Sequence, residues 1–238
     1  MPTVRVATWN VRDLLGDPFA LRRVLRSLSA DVVCLQEAPR RPGGGWRTSR
    51  LAQDAGLRYA GGGRPSGGTA LLLGPHVGVR SLAAARLPVR GLFTRTRGLV
   101  VAELAVVSGP AAGVALTVAC LHLPLEPELR VRHARLAATA LARRPGPYVV
   151  CADVNEPPGG PAWQVLTSLA ADPAPDAAAT FPAGREDVRL DAVLVGAGLR
   201  VVRHGSGEVE RADVLAATDH LPVVADLEAV PAGAPPGT

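Results

Sequence analysis

The sequence has no lysine and no isoleucine, a single methionine, and only two asparagines, Asn10 and Asn155. Its 26 strongly basic residues are therefore all arginine. The four depleted residue types are those of A/T-rich codons, so the composition is that of a very G+C-rich gene. Without lysine the chain cannot build a Walker A phosphate loop, a pyridoxal or other Schiff base, a lysine-dependent kinase or a Ser-x-x-Lys acylase. Cysteine is also scarce. Cys34, Cys120 and Cys151 lie far apart in apolar runs without Cys-x-x-Cys spacing, which predicts small, buried, reduced side chains. The longest apolar stretches, 98–107 and 111–121, are too short to cross a bilayer, and Glu103 interrupts the first. No basic segment followed by an apolar leader opens the chain. These absences predict a soluble, cytoplasmic monomer with no membrane span and no obligate protein partner.

What is present suits a folded enzyme. The 238 residues are 47% hydrophobic and 20% charged, enough apolar content for one domain, read here as 1–229, with a disordered tail over 230–238. A formal charge of +5 admits an anionic partner, although arginine standing in for lysine preserves charge and is not itself a nucleic-acid signal. Short β-rich runs at 4–8, 31–36, 57–60, 69–73, 77–87, 98–107, 114–121, 148–152, 189–195, 199–203 and 222–228 alternate with helical patterns. Asp17-Pro18 is a capped helix start, followed by Leu21, Val24, Leu25 and Leu28 on one face. Further helices are expected over 47–56, from Glu126-Pro127 to Arg144, and over 160–169, while glycine-rich 43–45 and 61–68 read as loops. Mixed strands with covering helices predict an α/β sheet sandwich.

The polar residues that end these strand runs carry the chemistry. Asn10 closes ATWN and Asn155 lies in CADVNEPP, each just after a buried run. A turn preference explains one such survivor better than two. Glu37 follows DVVCLQ, Asp153 follows VVCA, Asp191 opens DAVLV, and Asp219-His220 precedes LPVVA. Carboxylates gathered at one end of a sheet core repel one another unless a cation joins them. Oxygen ligands without a Cys or His cluster at zinc spacing suit Mg²⁺ or Mn²⁺. His122 ends a buried strand and His220 lies in the TDHLP turn, with Asp191 available to back it. His133 is expected to pack on a helix face, and His76 and His204 to lie in surface loops. No Gly-x-Ser-x-Gly occurs; Ser66 in RPSGG is the nearest approach.

TWN at 8–10, LQE at 35–37, LHL at 121–123, ADVN at 152–155, RLDAVLV at 189–195 and TDHLPVV at 218–224 come in the order and spacing of one family. From Asn10 to Val224 the chain resembles the endonuclease/exonuclease/phosphatase, or DNase-like, metallophosphoesterases. The resemblance implies a four-layered α/β/β/α sandwich and metal-dependent phosphoester hydrolysis. It casts Glu37 as principal metal ligand with Asn10 and Asp219 nearby, and Asp153 as the residue that orients or deprotonates water. Asn155 would hold the phosphate or position Asp153. His122, and His220 backed by Asp191, would stabilise transition-state charge. Arg97 matches a family arginine that contacts phosphate. The usual Gly-Asp-Phe/Leu-Asn is Ala-Asp-Val-Asn here, and the mid-chain tyrosine of many nuclease members is not found, which weakens the abasic-endonuclease reading.

Three functions compete. The first is a phosphodiesterase acting on a phosphoester substrate, with nucleic acid favoured. The second is a small-molecule phosphatase or headgroup phosphodiesterase, and the third a catalytically inactive binding module. Residues 86–97 hold four arginines around Phe93, a candidate backbone-binding edge. Trp46 and Phe181 are candidates for stacking on a base or ring, whereas Trp9 and Trp163 are expected to pack internally. With 3% aromatics and no extended basic arm, the sequence alone does not establish a dedicated DNA-reading surface.

Overall fold

The computed structural model describes residues 3–89 and 95–230. Phe93, and the expected tail beyond residue 230, lie outside the described residues. In chain order the first half runs β1 (Thr3–Asn10), α1 (Pro18–Leu28), β2 (Val32–Gln36), α2 (Gly44–Asp54), β3 (Arg58–Gly62), β4 (Ala70–Leu73), β5 (Val77–Arg86) and β6 (Gly98–Val106). The second half runs β7 (Ala115–His122), α3 (Pro127–Ala142), β8 (Tyr148–Asp153), α4 (Pro161–Thr167), β9 (Asp191–Val195), β10 (Leu199–Gly205), α5 (Arg211–Ala217) and β11 (Val223–Ala229). One sheet has the order β10-β11-β1-β2-β4-β3, the other β5-β6-β7-β8-β9. Both are mixed: β1/β2 and β7/β8 are parallel and their other neighbours antiparallel.

Alternation along the strands sets the layers. Val4, Val6, Val32 and Cys34 of one sheet and Val118, Cys120, Val149, Cys151 and Val193 of the other form the core between the sheets. Residues of opposite parity face outward. Ala7, Trp9, Val33 and Leu35 pack beneath Leu21, Val24, Leu25 and Leu28 of α1. Ala119, Leu121, Val150 and Ala152 pack beneath Ala134, Ala137, Leu141, Trp163 and Leu166 of α3 and α4. Central strands buried on both faces read as continuous apolar runs, which is why 31–36 shows no alternation in sequence. The result is the expected four-layered α/β/β/α sandwich, with Trp9 and Trp163 internal. Among the described residues no helix is long and apolar enough to cross a membrane.

The sequence reading fails where tertiary contact overrides local preference. Gly44 and Gly45, read as loop, lie in α2, because a Cβ on Gly44 would sit 2.3 Å from the Pro39 carbonyl oxygen. Gly61 and Gly62 belong to β3 rather than a loop, Gly62 pairing with Ala70 at φ +108, a backbone conformation open to glycine. His204 sits half-buried on β10, not in a surface loop. α5 was not anticipated; it buries only Val214 and Ala217, too short a pattern to stand out.

Leu25 is 1% exposed and Leu215 is 47% exposed. Leu25→Ala is therefore expected to destabilise the fold by about 2–5 kcal/mol, and Leu215→Ala by less than about 1 kcal/mol. Urea unfolding midpoints compare the two; equal shifts would contradict the layering.

Candidate active site

Along each inner face the apolar stripe ends in a polar side chain. Val4, Val6 and Thr8 lead to Asn10; Val32 and Cys34 lead to Gln36; Val118 and Cys120 lead to His122. The same holds for Val149 and Cys151, leading to Asp153, and, running the opposite way, for Val195 and Val193, leading back to Asp191. Strand register then sets these ends side by side: His122 pairs with Asp153, and Asp153 with Asp191. Where the two sheets' ends meet, a crevice of ≈ 310 Å³ opens, lined by Asn10, Glu37, Arg97, His122, Asp153, Asn155, Asp219 and His220. Of the expected catalytic, metal and phosphate residues, only Asp191 is absent from the crevice wall, being fully buried.

Asp153 is the hub. Asn10 Nδ2 donates to its Oδ2 at 2.9 Å, and the Asn155 main-chain N–H donates to its Oδ1 at 3.2 Å. His122 Nε2 lies 3.3 Å and His220 Nε2 4.0 Å from Oδ2. Burial and the neighbouring Asp191 charge push the Asp153 carboxyl up to about 7, although His220, Asn10 and Arg97 pull the other way. Burial also lowers His122 well below the ordinary histidine value, helped by Arg97 and His220, so its ring is neutral at pH 7. His220 goes the other way. Burial disfavours its charge, but Asp191, which accepts from Nδ1 at 2.9 Å, holds it up at about 9. The imidazolium is thus retained at neutral pH.

The remaining wall is built from loops. Glu37 lies just beyond β2 at φ +52, its Oε1 3.3 Å from Arg95 Nη1 and 3.6 Å from Arg97 Nη1. Arg97 is nearly buried, and desolvation lowers its pKa while Glu37 and Asp153 support its charge. Asp219 faces Arg12 at 3.8 Å and accepts from the Thr218 hydroxyl. Asn155 has φ +56, and its amide donates to the Leu123 carbonyl at 2.8 Å, so its side chain ties the loop that aims at Asp153. Phe181 lies against the His220 ring, with centroids 4.7 Å apart.

Sequence reasoning missed Thr180 and Arg12, and it placed Arg95 only within the basic edge 86–97. The buried Thr180 hydroxyl donates to Asp191 Oδ2 at 2.7 Å, so that oxygen serves both Thr180 and His220. Nothing in ATFP marks that threonine, since its partner arrives from β9. Other polar residues are structural. Ser66 is buried, donating to the Gly63 and Thr69 carbonyls, and His133 packs with Nε2 against the Pro88 carbonyl. Trp46 lies outside the crevice, beside Phe19 and Leu14 in a separate cavity.

A cation would meet oxygen donors here. Glu37, Asp153, Asp219 and Asn10 share the crevice, and no cysteine lines it. The tightest group is Asp153, Asp191 and His220, whose ligand atoms lie within 4.8 Å of one another. Its Asp191 Oδ2 is already engaged by two donors, and Asp191 Oδ1 is buried without a partner. Glu37 and Asp219 belong to no such compact group among the described residues.

The model of the Endonuclease/Exonuclease/phosphatase family matches residues 7–220. Comparison with curated protein sequences returns no match. Among solved structures, an endonuclease/exonuclease/phosphatase from Bacteroides vulgatus is similar at 20% identity, with 97% of this chain and 100% of the other covered and a TM-score of 0.78. A mannosyl-6-phosphatase from Bacteroides thetaiotaomicron is similar at 18% identity, over 94% and 99% of the two chains, with a TM-score of 0.75. The human nocturnin catalytic domain, solved with a bound sulfate anion, is similar at 17% identity over 96% and 95%, with a TM-score of 0.72. At such identities these likenesses bear on the fold alone.

The contrast between the two histidines is measurable by proton NMR in EDTA. His220 is expected to titrate near 9 and to fall below that in Asp191→Asn, because the lost carboxylate charge no longer favours the imidazolium. His122 should stay neutral through its ordinary range. A wild-type His220 titrating at or below 6.5 would contradict the pairing with Asp191.

Proposed function

Since the chain belongs to the endonuclease/exonuclease/phosphatase family, a family of phosphoester hydrolases, we propose that it is a Mg²⁺- or Mn²⁺-dependent phosphodiesterase with nucleic acid as the favoured substrate class. The observation that carries the reading is a buried carboxylate, Asp153, raised to about 7 and aimed by Asn10, Asn155 and His122 into a crevice. A base with that pKa accepts a proton from attacking water near neutrality. Neutral His122 lies with Nε2 3.3 Å from Asp153 Oδ2, close enough to steady that carboxylate without adding charge. His220 keeps both ring protons, one on Nδ1 directed at Asp191 and one on Nε2 available to a phosphoryl oxygen. Arg97 adds fixed positive charge on the same wall.

The donor set fits a hard divalent ion, with Glu37 as principal ligand and Asn10 and Asp219 beside it. When bound, such an ion would supply positive charge at the phosphate. Asp191 is read instead as the partner of His220, because Thr180 and Nδ1 already engage its Oδ2. Asn155 acts by positioning Asp153 as well as by lining the phosphate site. The three free, buried cysteines support a reducing, cytoplasmic setting.

The arginines of the wall, Arg12, Arg95 and Arg97, lie against Asp219 and Glu37, and a cation taken up by those two carboxylates would leave the guanidinium groups for an anionic substrate. A crevice of ≈ 310 Å³ also suits a single phosphorylated small molecule, which keeps a sugar-phosphate or nucleotide substrate as the second reading.

A substrate panel tests this reading: plasmid, single-stranded DNA, RNA, bis-p-nitrophenyl phosphate and p-nitrophenyl phosphate, each with Mg²⁺, Mn²⁺ or EDTA. Metal-dependent turnover is expected, reduced about 10²–10⁴-fold in Asp153→Ala. Glu37→Gln should raise the metal concentration needed for half-maximal rate. Hydrolysis indifferent to EDTA, or intact in Asp153→Ala, would refute the mechanism. Turnover confined to p-nitrophenyl phosphate would select the small-molecule reading.

A further inference from the structure

A second polar cavity, of ≈ 340 Å³, adjoins the crevice and shares Asp13 and Arg95 with it. Its wall carries Arg40, Arg41, Arg64, Arg86 and Arg95, and Asp13 is its one carboxylate. Codon bias explains why these cations are arginines but not why they gather. Many arginines elsewhere are neutralised: Arg5 pairs with Asp226, Arg23 with Asp213, Arg130 with Glu156, Arg144 with Glu103 and Arg189 with Asp172. Arg41 and Arg64, both exposed, have no side-chain hydrogen bond or ion pair among the described residues.

The cluster is also held in place. Arg40 Nη1 donates to the Thr96 carbonyl at 3.2 Å, and Arg86 Nε donates to the Arg64 carbonyl at 3.0 Å. Anchoring one N–H of each guanidinium on the main chain leaves the others for an external acceptor. Arg95 is paired with Glu37, but Arg40, Arg41, Arg64 and Arg86 form no ion pair among the described residues; gathered around Asp13 they repel one another, and an anion relieves that repulsion. Guanidinium forks match phosphate oxygens in paired hydrogen bonds.

We infer that this arginine cavity binds a second phosphate group of the substrate whose first phosphate is hydrolysed next door. The inference rests on the phosphoesterase reading above and narrows it to substrates carrying two phosphates. The second phosphate is either the next backbone phosphate of an oligonucleotide or the second phosphate of a small bisphosphate. Both present the same chemistry to the arginines.

Calorimetric titrations with the full-length protein in EDTA, where nothing turns over, test the cavity directly. The ligands are TpTpT and fructose 1,6-bisphosphate, against wild type, R41A/R64A and R41K/R64K. At least one ligand is expected to bind R41A/R64A about ten-fold or more weakly than wild type, the loss of a charge-assisted contact or two, with partial recovery in R41K/R64K. A loss confined to TpTpT assigns the oligonucleotide source, and one confined to the bisphosphate assigns the small molecule. Unchanged affinity of R41A/R64A for both, or no binding of either by wild type, overturns the inference. The side chains replaced are exposed and make no internal bond, so the variants should unfold at the wild-type temperature. In a second arm with Mg²⁺, kcat/KM for TpTpT should exceed that for TpT, and the excess should shrink in R41A/R64A. Absence of any metal-dependent hydrolysis by wild type would refute the phosphoesterase reading while leaving the EDTA result to judge the cavity.

Discussion

The site depends on the burial of two carboxylates side by side. Asp153 and Asp191 sit opposite each other on β8 and β9, 1% and 0% exposed, where their charges repel and water cannot relieve them. Each is held by a separate set of donors. Asp153 takes Asn10 Nδ2 and the Asn155 N–H, with His122 close by, whereas Asp191 takes Thr180 and His220. That division gives the two acids different work: Asp191 holds a positive charge on His220, and Asp153 is left near its point of protonation. The donors come from both sheets and from the loops 154–160 and 180–190, so neither acid is secured until both halves of the sandwich have docked.

Topology decides where this happens. β1 and β2 run parallel, as do β7 and β8, so the C-terminal ends of these four strands lie towards one edge of the sandwich. β9 is antiparallel to β8 and therefore begins where the others finish, which is why Asp191 is its first residue while Asp153 is the last of β8. His220 reaches the same place because Trp9 Nε1 donates to its carbonyl and the Thr218 hydroxyl donates to the Asn10 carbonyl, sewing the turn before β11 to the end of β1.

This logic also separates what the sequence revealed from what it concealed. Asn10, His122 and Asp153 were legible because each polar residue ends a buried apolar run. Glu37 and Asp191 were legible for the related reason that they adjoin such runs. Thr180 and Arg12 lie in irregular segments, where position follows from tertiary contact and no period marks a direction. The arginine cavity was hidden for the same reason. Its five side chains come from the segments around 40, 64, 86 and 95, and in a chain where every cation is arginine no single one stands out. The stretch 86–97 did show a basic edge, but its partners at Arg40, Arg41 and Arg64 become neighbours only when β3 and β5 fold beside it.

Backbone conformation adds a last constraint. Four of the seven non-glycine residues with positive φ, namely Arg12, Asp13, Glu37 and Asn155, line the crevice. Each such conformation costs roughly 1–3 kcal/mol unless its surroundings enforce it. Here they do. The Asp13 N–H donates to the Glu37 carbonyl at 2.7 Å and the Val11 N–H to the Gln36 carbonyl at 3.0 Å, so the segments leaving β1 and β2 lock each other. The Asn155 amide likewise locks the segment leaving β8 onto Leu123, just past the end of β7. Both locks join the ends of a parallel strand pair, one in each sheet, and both fix a side chain that must face the crevice. The reacting corner is therefore rigid by construction. Its selectivity has to come from what is built around it, and the arginines gathered beside it supply charge for that purpose.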